Sequence, residues 1–130
     1  MTVLHSSNLN RLEEECNTIL ENDKIKFVGV INSLGNLIAG GFRKGIVQVV
    51  TDEVQKMMYM QLKLDLNMRK EYDGLFGSVN YVVSNRKNAD KISIPIGTYM
   101  ILLITETNFD HELTIKKITS TFKPILDNYT

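Results

Sequence analysis

The sequence predicts an α+β fold: a five-stranded antiparallel sheet in the order α-β-β-α-β-β-β-α, with helices on both faces. Three observations carry this. Ile25 to Asn32 (IKFVGVIN) and Tyr99 to Thr105 (YMILLIT) are apolar at odd and even positions alike, as central strands buried on both faces are. Thr51 to Asp73 (TDEVQKMMYMQLKLDLNMRKEYD) contains neither glycine nor proline and repeats its apolar residues at helical spacing. Turn signals separate the remaining apolar runs at lengths suited to hairpins.

The elements follow in order. Ser6, Ser7 and Asn8 offer a cap, and Leu9, Leu12, Cys16, Ile19 and Leu20 recur at helical spacing up to a break at Asn22-Asp23. Glu13, Glu14 and Glu15 are expected to face water near the helix start, where the dipole favours acid. The first strand runs into Ser33-Leu34-Gly35-Asn36, a turn in which Gly35 can take positive φ. Leu37 to Phe42 returns as the second strand, and Gly40-Gly41 marks a bulge, a kink or a close backbone approach. Arg43 to Val50 connects to the long helix, which Thr51 caps, with Asp52 and Glu53 in its first turn. It is expected to break at Asp73-Gly74. Ser78 to Ser84 alternates as a third strand with Val79, Tyr81 and Val83 inward, followed by a polar turn over Asn85 to Asp90. Lys91 to Ile96 is the fourth strand, where Pro95 implies an edge or an unpaired site. Gly97-Thr98 is a tight turn into the last strand. Asp110 caps the final helix, which should bury Leu113, Ile115, Ile118 and Phe122, with Pro124 disturbing its last turn. No linker, repeat or low-complexity segment interrupts residues 1–130, which read as one domain.

The long helix has two apolar strips. Val54, Met58, Leu62 and Leu66 form one, and Met57, Met60, Leu64 and Met68 the other, with Gln61, Asp65 and Arg69 as a polar ridge between them. Lys56, Lys63 and Lys70 repeat every seven residues and read as the solvated side. The helix holds four of the six methionines, a side chain that suits both irregular cores and adaptable binding surfaces. A wedge-shaped site could bury both strips. The reading adopted is that the second strip faces a partner.

Composition narrows the function classes. Fifteen basic and fifteen acidic residues cancel, giving no electrostatic case for nucleic acid or an anionic membrane. A single cysteine forbids an internal disulfide and suits a reducing compartment. With no signal peptide and no apolar run of spanning length, the expected location is cytoplasmic. His5, His111 and Cys16 lack metal-ligand spacing. His111 reads as a surface residue of a helix first turn, and Cys16 as a small buried hydrophobe. GNLIAGG has neither the spacing nor the lysine of a phosphate loop. Arg86, Lys87 and Lys91 make a basic cluster and Arg43-Lys44 a smaller one; each is a solvated turn or a site for an acidic partner. No catalytic constellation, metal site or cofactor site can be assembled, so the chain reads as no enzyme.

The wording of Lys26 to Phe42 (KFVGVINSLGNLIAGGF), Asn67 to Asp73 (NMRKEYD), Gly77 to Val83 (GSVNYVV) and Ile94-Pro95-Ile96 resembles a family of small archaeal proteins without an assigned activity. The resemblance covers about residues 10–126. The element order resembles the roadblock (dynein light chain type) and profilin-like folds. That resemblance implies a non-enzymatic domain that pairs through its second helix and third strand and serves as a scaffold or regulator, with a small GTPase as partner. It puts the strip of Met57, Met60, Leu64 and Met68, or its neighbour, at a homodimer interface, and the candidate contact residues are these four with Gln61 and, from the third strand, Val79 and Tyr81. The alternative is a PAS- or GAF-like sensor holding a small molecule in a pocket lined by Gly40, Gly41 and the 43–50 connection.

Overall fold

The computed structural model describes residues 6–46 and 51–127. The expectations for His5 and for residues 47–50 of the connection lie outside these. The elements are α1 (Ser6–Ile19), β1 (Ile25–Ile31), β2 (Leu37–Phe42), α2 (Asp52–Arg69), a 3-10 turn (Lys70–Tyr72), α3 (Asp73–Phe76), β3 (Val82–Asn85), β4 (Asp90–Ile96), β5 (Tyr99–Thr105) and α4 (His111–Leu126).

The strands form one antiparallel sheet in the order β2-β1-β5-β4-β3. β1 and β5 lie inside it, as their two-sided apolar patterns require, and β5 is buried along its whole length. Alternation then sends side chains to two cores. Val28, Val30, Ile94, Ile101 and Leu103 pack under α1 and α4, which contribute Leu12, Cys16, Ile115, Ile118 and Phe122. Phe27, Ile31, Met100, Leu102 and Ile104 pack under α2, which contributes Tyr59 and Leu66. The long helix thus covers one face and the terminal helices the other, as expected.

Local chemistry fixes the edges of this sheet. Asn32 builds the first hairpin turn: its Oδ1 accepts from the amides of Leu34 and Asn36, both at 3.0 Å, and Gly35 turns at φ +80. At Gly40 the close-approach reading is the correct one. A Cβ there would meet the Val28 carbonyl oxygen at 2.1 Å and Cys16 Sγ at 3.0 Å, and φ is +85. The Gly40 amide donates to Glu13 Oε1 at 3.0 Å, so Glu13 caps an edge strand instead of only facing water. Arg43 is also structural: its guanidinium donates to the carbonyls of Asn22 and Ile25.

Four expectations need correction. Helical structure continues past Asp73-Gly74 and ends at Gly77, whose φ is +81 and whose amide bonds the Asp73 carbonyl at 2.8 Å. The third strand starts at Val82, not Ser78, so Val79 and Tyr81 precede it. Counting by twos from the Ile96–Tyr99 closing pair, the backbone of Ser93 and Pro95 points toward β3. β3 pairs as far as Ser93, and the next outward position is Pro95, which has no amide to donate. Leu113, expected in the core, is exposed, whereas Ile115, Ile118 and Phe122 are buried as expected. His111 is not a free surface residue: its Nε2 lies 3.0 Å from Oδ2 of buried Asp90, tying the start of α4 to the sheet.

Candidate interaction site on the long helix

α2 starts where the sequence indicates. Thr51 Oγ1 accepts from the Val54 amide at 3.2 Å, and Asp52 and Glu53 occupy the first turn. Its inward side is the row Met58, Tyr59, Leu62, Lys63 and Leu66, spaced as one helical stripe. Two of these were not read as core from the sequence. Tyr59 is buried beside Phe27, with ring centroids 6.1 Å apart, and its hydroxyl donates to Gln55. Lys63, assigned to the solvated side, is only 7% exposed, and its Nζ donates to the Thr98 carbonyl at 2.5 Å. Burial, with Lys70 nearby, holds its pKa below the usual lysine range.

The second strip faces outward. Met57, Met60, Leu64 and Met68 are 42–71% exposed, and Val54, expected in the inward strip, joins them at 52%. At 100° per residue these positions centre on the side of α2 opposite the buried row. With Gln61 they run 54, 57, 61, 64, 68, a three-four spacing that draws a straight seam along the helix. One side of the seam is bordered by Asp65 and Arg69, paired at 3.0 Å. Met60 also leans on the first hairpin: a Cβ on Gly35 would fall 2.2 Å from its Sδ. Beyond the helix end, Tyr72, Leu75 and Phe76 prolong the exposed apolar surface.

The two strand residues expected beside this strip share a groove against α4, and of the two only Val79 also reaches the end of α2. Val79 is half-buried against the α2-side core and, with Arg69, Tyr72 and Phe76, borders a hollow of about 300 Å³. Tyr81 lines a groove against α4 that Val79 borders as well. Cys16, Asp90 and Lys91 are held by the fold. Cys16 is buried, and desolvation, with Glu13 and Glu15 adding to it, pushes its thiol up to about 12. The His111 hydrogen bond, then that of Asn85, holds the Asp90 carboxyl below the usual range against the opposing effect of burial. Lys91 Nζ rests on Met58 Sδ at 3.2 Å, and burial with Arg86 nearby lowers its pKa. Among the described residues no group of three or more His, Cys, Asp or Glu is placed to hold a metal, and no helix is long and apolar enough to cross a membrane.

This architecture is the roadblock/LC7 fold. The chain superimposes on the gliding protein MglB of Thermus thermophilus with a TM-score of 0.80 at 11% identity, covering 97% of this chain and 96% of that one. MglB of Myxococcus xanthus gives 0.73 at 12% identity, covering 99% and 97%. A roadblock/LC7 domain from Streptomyces avermitilis gives 0.68 at 9% identity, covering 91% and 96%. At such identities the likeness is one of fold. By sequence, the chain belongs to a family of unknown function, DUF6659, whose profile matches residues 4–129. Comparison with curated proteins finds no match.

Proposed function

We propose that the chain, one roadblock-like domain over residues 1–130, is a homodimeric, non-catalytic interaction module. The observation that carries this reading is the outward seam of α2. An apolar row on the side of a helix opposite its own core is explained by a second surface that covers it. The three-four spacing suits the same helix of a second copy, with Gln61 as the polar position that fixes register. Met57, Met60, Gln61, Leu64 and Met68 form the contact, and Val79 extends it at the end of α2. Tyr81 stands off it, beside α4. An MglB of the same fold has been solved in a tetrameric arrangement, which supports self-association as a use of this architecture.

The pair serves as a scaffold or regulator in signalling, and a small GTPase is the partner class that the roadblock resemblance favours. An archaeal source, a cytoplasmic location and independence from nucleic acid, membrane and cofactor complete the reading. Sedimentation equilibrium over a wide concentration range tests it. A concentration-dependent dimer is the expected result, and a strict monomer at the highest concentrations would overturn it. Binding assays with small GTPases loaded with GDP or a GTP analogue test the partner separately; no binding in either state would remove that partner and leave the dimer standing.

A further inference from the structure

We propose that the groove between α4 and the end of β4 is a binding site for a small amphipathic monocarboxylate, a single carboxylate carried on an apolar body. The groove exists because β3 is short. Beyond Ser93 no strand flanks β4 on its β3 side, and the chain at 79–81 stands off the sheet, leaving a hollow of about 520 Å³ under α4. That is within the range of small-molecule sites, about 300–1,000 Å³. Pro95 presents no amide at this edge, so a backbone added here as a strand would lack that hydrogen bond. What it offers is side-chain chemistry.

The floor is apolar, made by Ile94, Ile96 and Ile115, and the Tyr81 ring, 40% exposed, borders it. The α4 wall carries Lys116 and Lys123, two turns apart on one stripe, with the Thr119 and Ser120 hydroxyls between them. The Ser120 hydroxyl donates to the Lys117 carbonyl. Among the described residues neither lysine forms an ion pair. Among the described residues the lining holds one carboxylate, Asp127, one turn beyond Lys123. Counted over the described lining residues, two lysines and one aspartate leave a net charge of +1, which matches a monoanion better than a phosphate dianion. The carboxylate head sits toward Lys116, away from Asp127, and the apolar body lies on the isoleucine floor. The site is built on α4 and β4, with none of the α2 strip, so it stands or falls separately from the dimer.

The test uses octanoate as the probe, with 1-octanol and acetate as controls for chain and charge alone. Amide chemical shifts are followed by NMR on the full chain. Octanoate should shift amides of 79–81, 94–97 and 115–123 saturably, at least tenfold tighter than octanol, while acetate leaves them unmoved. The variant carrying Lys116→Gln and Lys123→Gln should lose that tenfold preference while keeping the wild-type spectrum elsewhere. Equal affinity for octanoate and octanol, shifts centred on α2 instead, or an unchanged preference in the variant would each overturn the proposal.

Discussion

Replacing Met57 and Leu64 together by glutamate should separate the proposed pair into folded monomers. These two residues are 64% and 56% exposed and lie seven apart on the seam. Met60 is left intact because it supports the Gly35 turn. Fully burying a Met or Leu side chain contributes about 1.5–3 kcal/mol, so covering the exposed part of each contributes about 1–2 kcal/mol. Two-fold pairing presents both residues from both copies, about 5 kcal/mol in all, or roughly three to four orders of magnitude in Kd. Facing carboxylates would add repulsion. The monomer should hardly notice. Both positions point away from the core, glutamate is a good helix former, and such surface changes cost about 0.5 kcal/mol or less. Sedimentation equilibrium gives the mass, and urea unfolding followed by circular dichroism gives the stability. A variant that stays dimeric with unchanged Kd would show that the seam is not the contact. A variant that unfolds would show that the seam belongs to the core, against the exposure on which the reasoning rests.

Other expectations concern the supports of the fold. Lys63→Ala, which leaves the Thr98 carbonyl without its ammonium donor, should cost about 1–3 kcal/mol in urea unfolding, and full retention of stability would show the bond to be idle. Asp90→Ala should cost about 1–3 kcal/mol at neutral pH by removing the acceptor of Asn85 and the partner of His111. Because the folded state lowers the Asp90 pKa, its contribution is present above the ordinary carboxylate range and is lost as pH falls through the folded value. The gap to wild type should therefore narrow below about pH 4, and a constant gap would refute the linkage. Gly40→Ala meets a carbonyl at 2.1 Å at positive φ and should cost about 3 kcal/mol or more. Gly74→Ala, in open space within α3, should stabilise by about 0.4–1 kcal/mol; equal effects at both glycines would contradict the geometry. Cys16, with its thiol pushed up to about 12, should resist iodoacetamide at mildly alkaline pH until denatured, as mass spectrometry would show; rapid alkylation of the native chain would mean the thiol is open.

Much of the architecture was legible because burial leaves a periodic mark. IKFVGVI and YMILLIT had to be interior strands, and Thr51 with Asp52 and Glu53 had to open a helix. The α2 faces were half legible. Helical angles separated two apolar strips but assigned Val54 to the core, and a heptad of lysines looked like a solvated side. Lys63 escaped that pattern because a long stem can follow an apolar surface and still deliver its charge to a carbonyl 35 positions away. The start of the third strand was not legible from SVNYVVS, whose alternation suits a strand from Ser78. Its pairing depends on what the neighbour can donate, and Pro95 removes the donor. Leu113 shows the same limit, since one-turn offsets at a helix start depend on how the helix lies over the sheet. The apolar strip of Met57, Met60, Leu64 and Met68 was legible and is exposed, while Tyr81, expected beside it, lines the α4 groove together with Val79.

The strand order has a consequence for how the protein is made. β5 is synthesised last of the five, yet it is the centre of the sheet, between β1 and β4. Val30 waits for Ile101, about 70 positions later, before its second ladder can close, a separation that slows folding. At about 5–20 residues per second on the ribosome, β1 therefore spends several seconds with one edge open. Until Tyr99–Thr105 emerges, the chain is two hairpins without a common wall. Any truncation before that segment leaves both cores unclosed, so a pair of fragments cut in the polar turn at 86–89 can recover the fold only by recruiting the C-terminal piece as the missing middle.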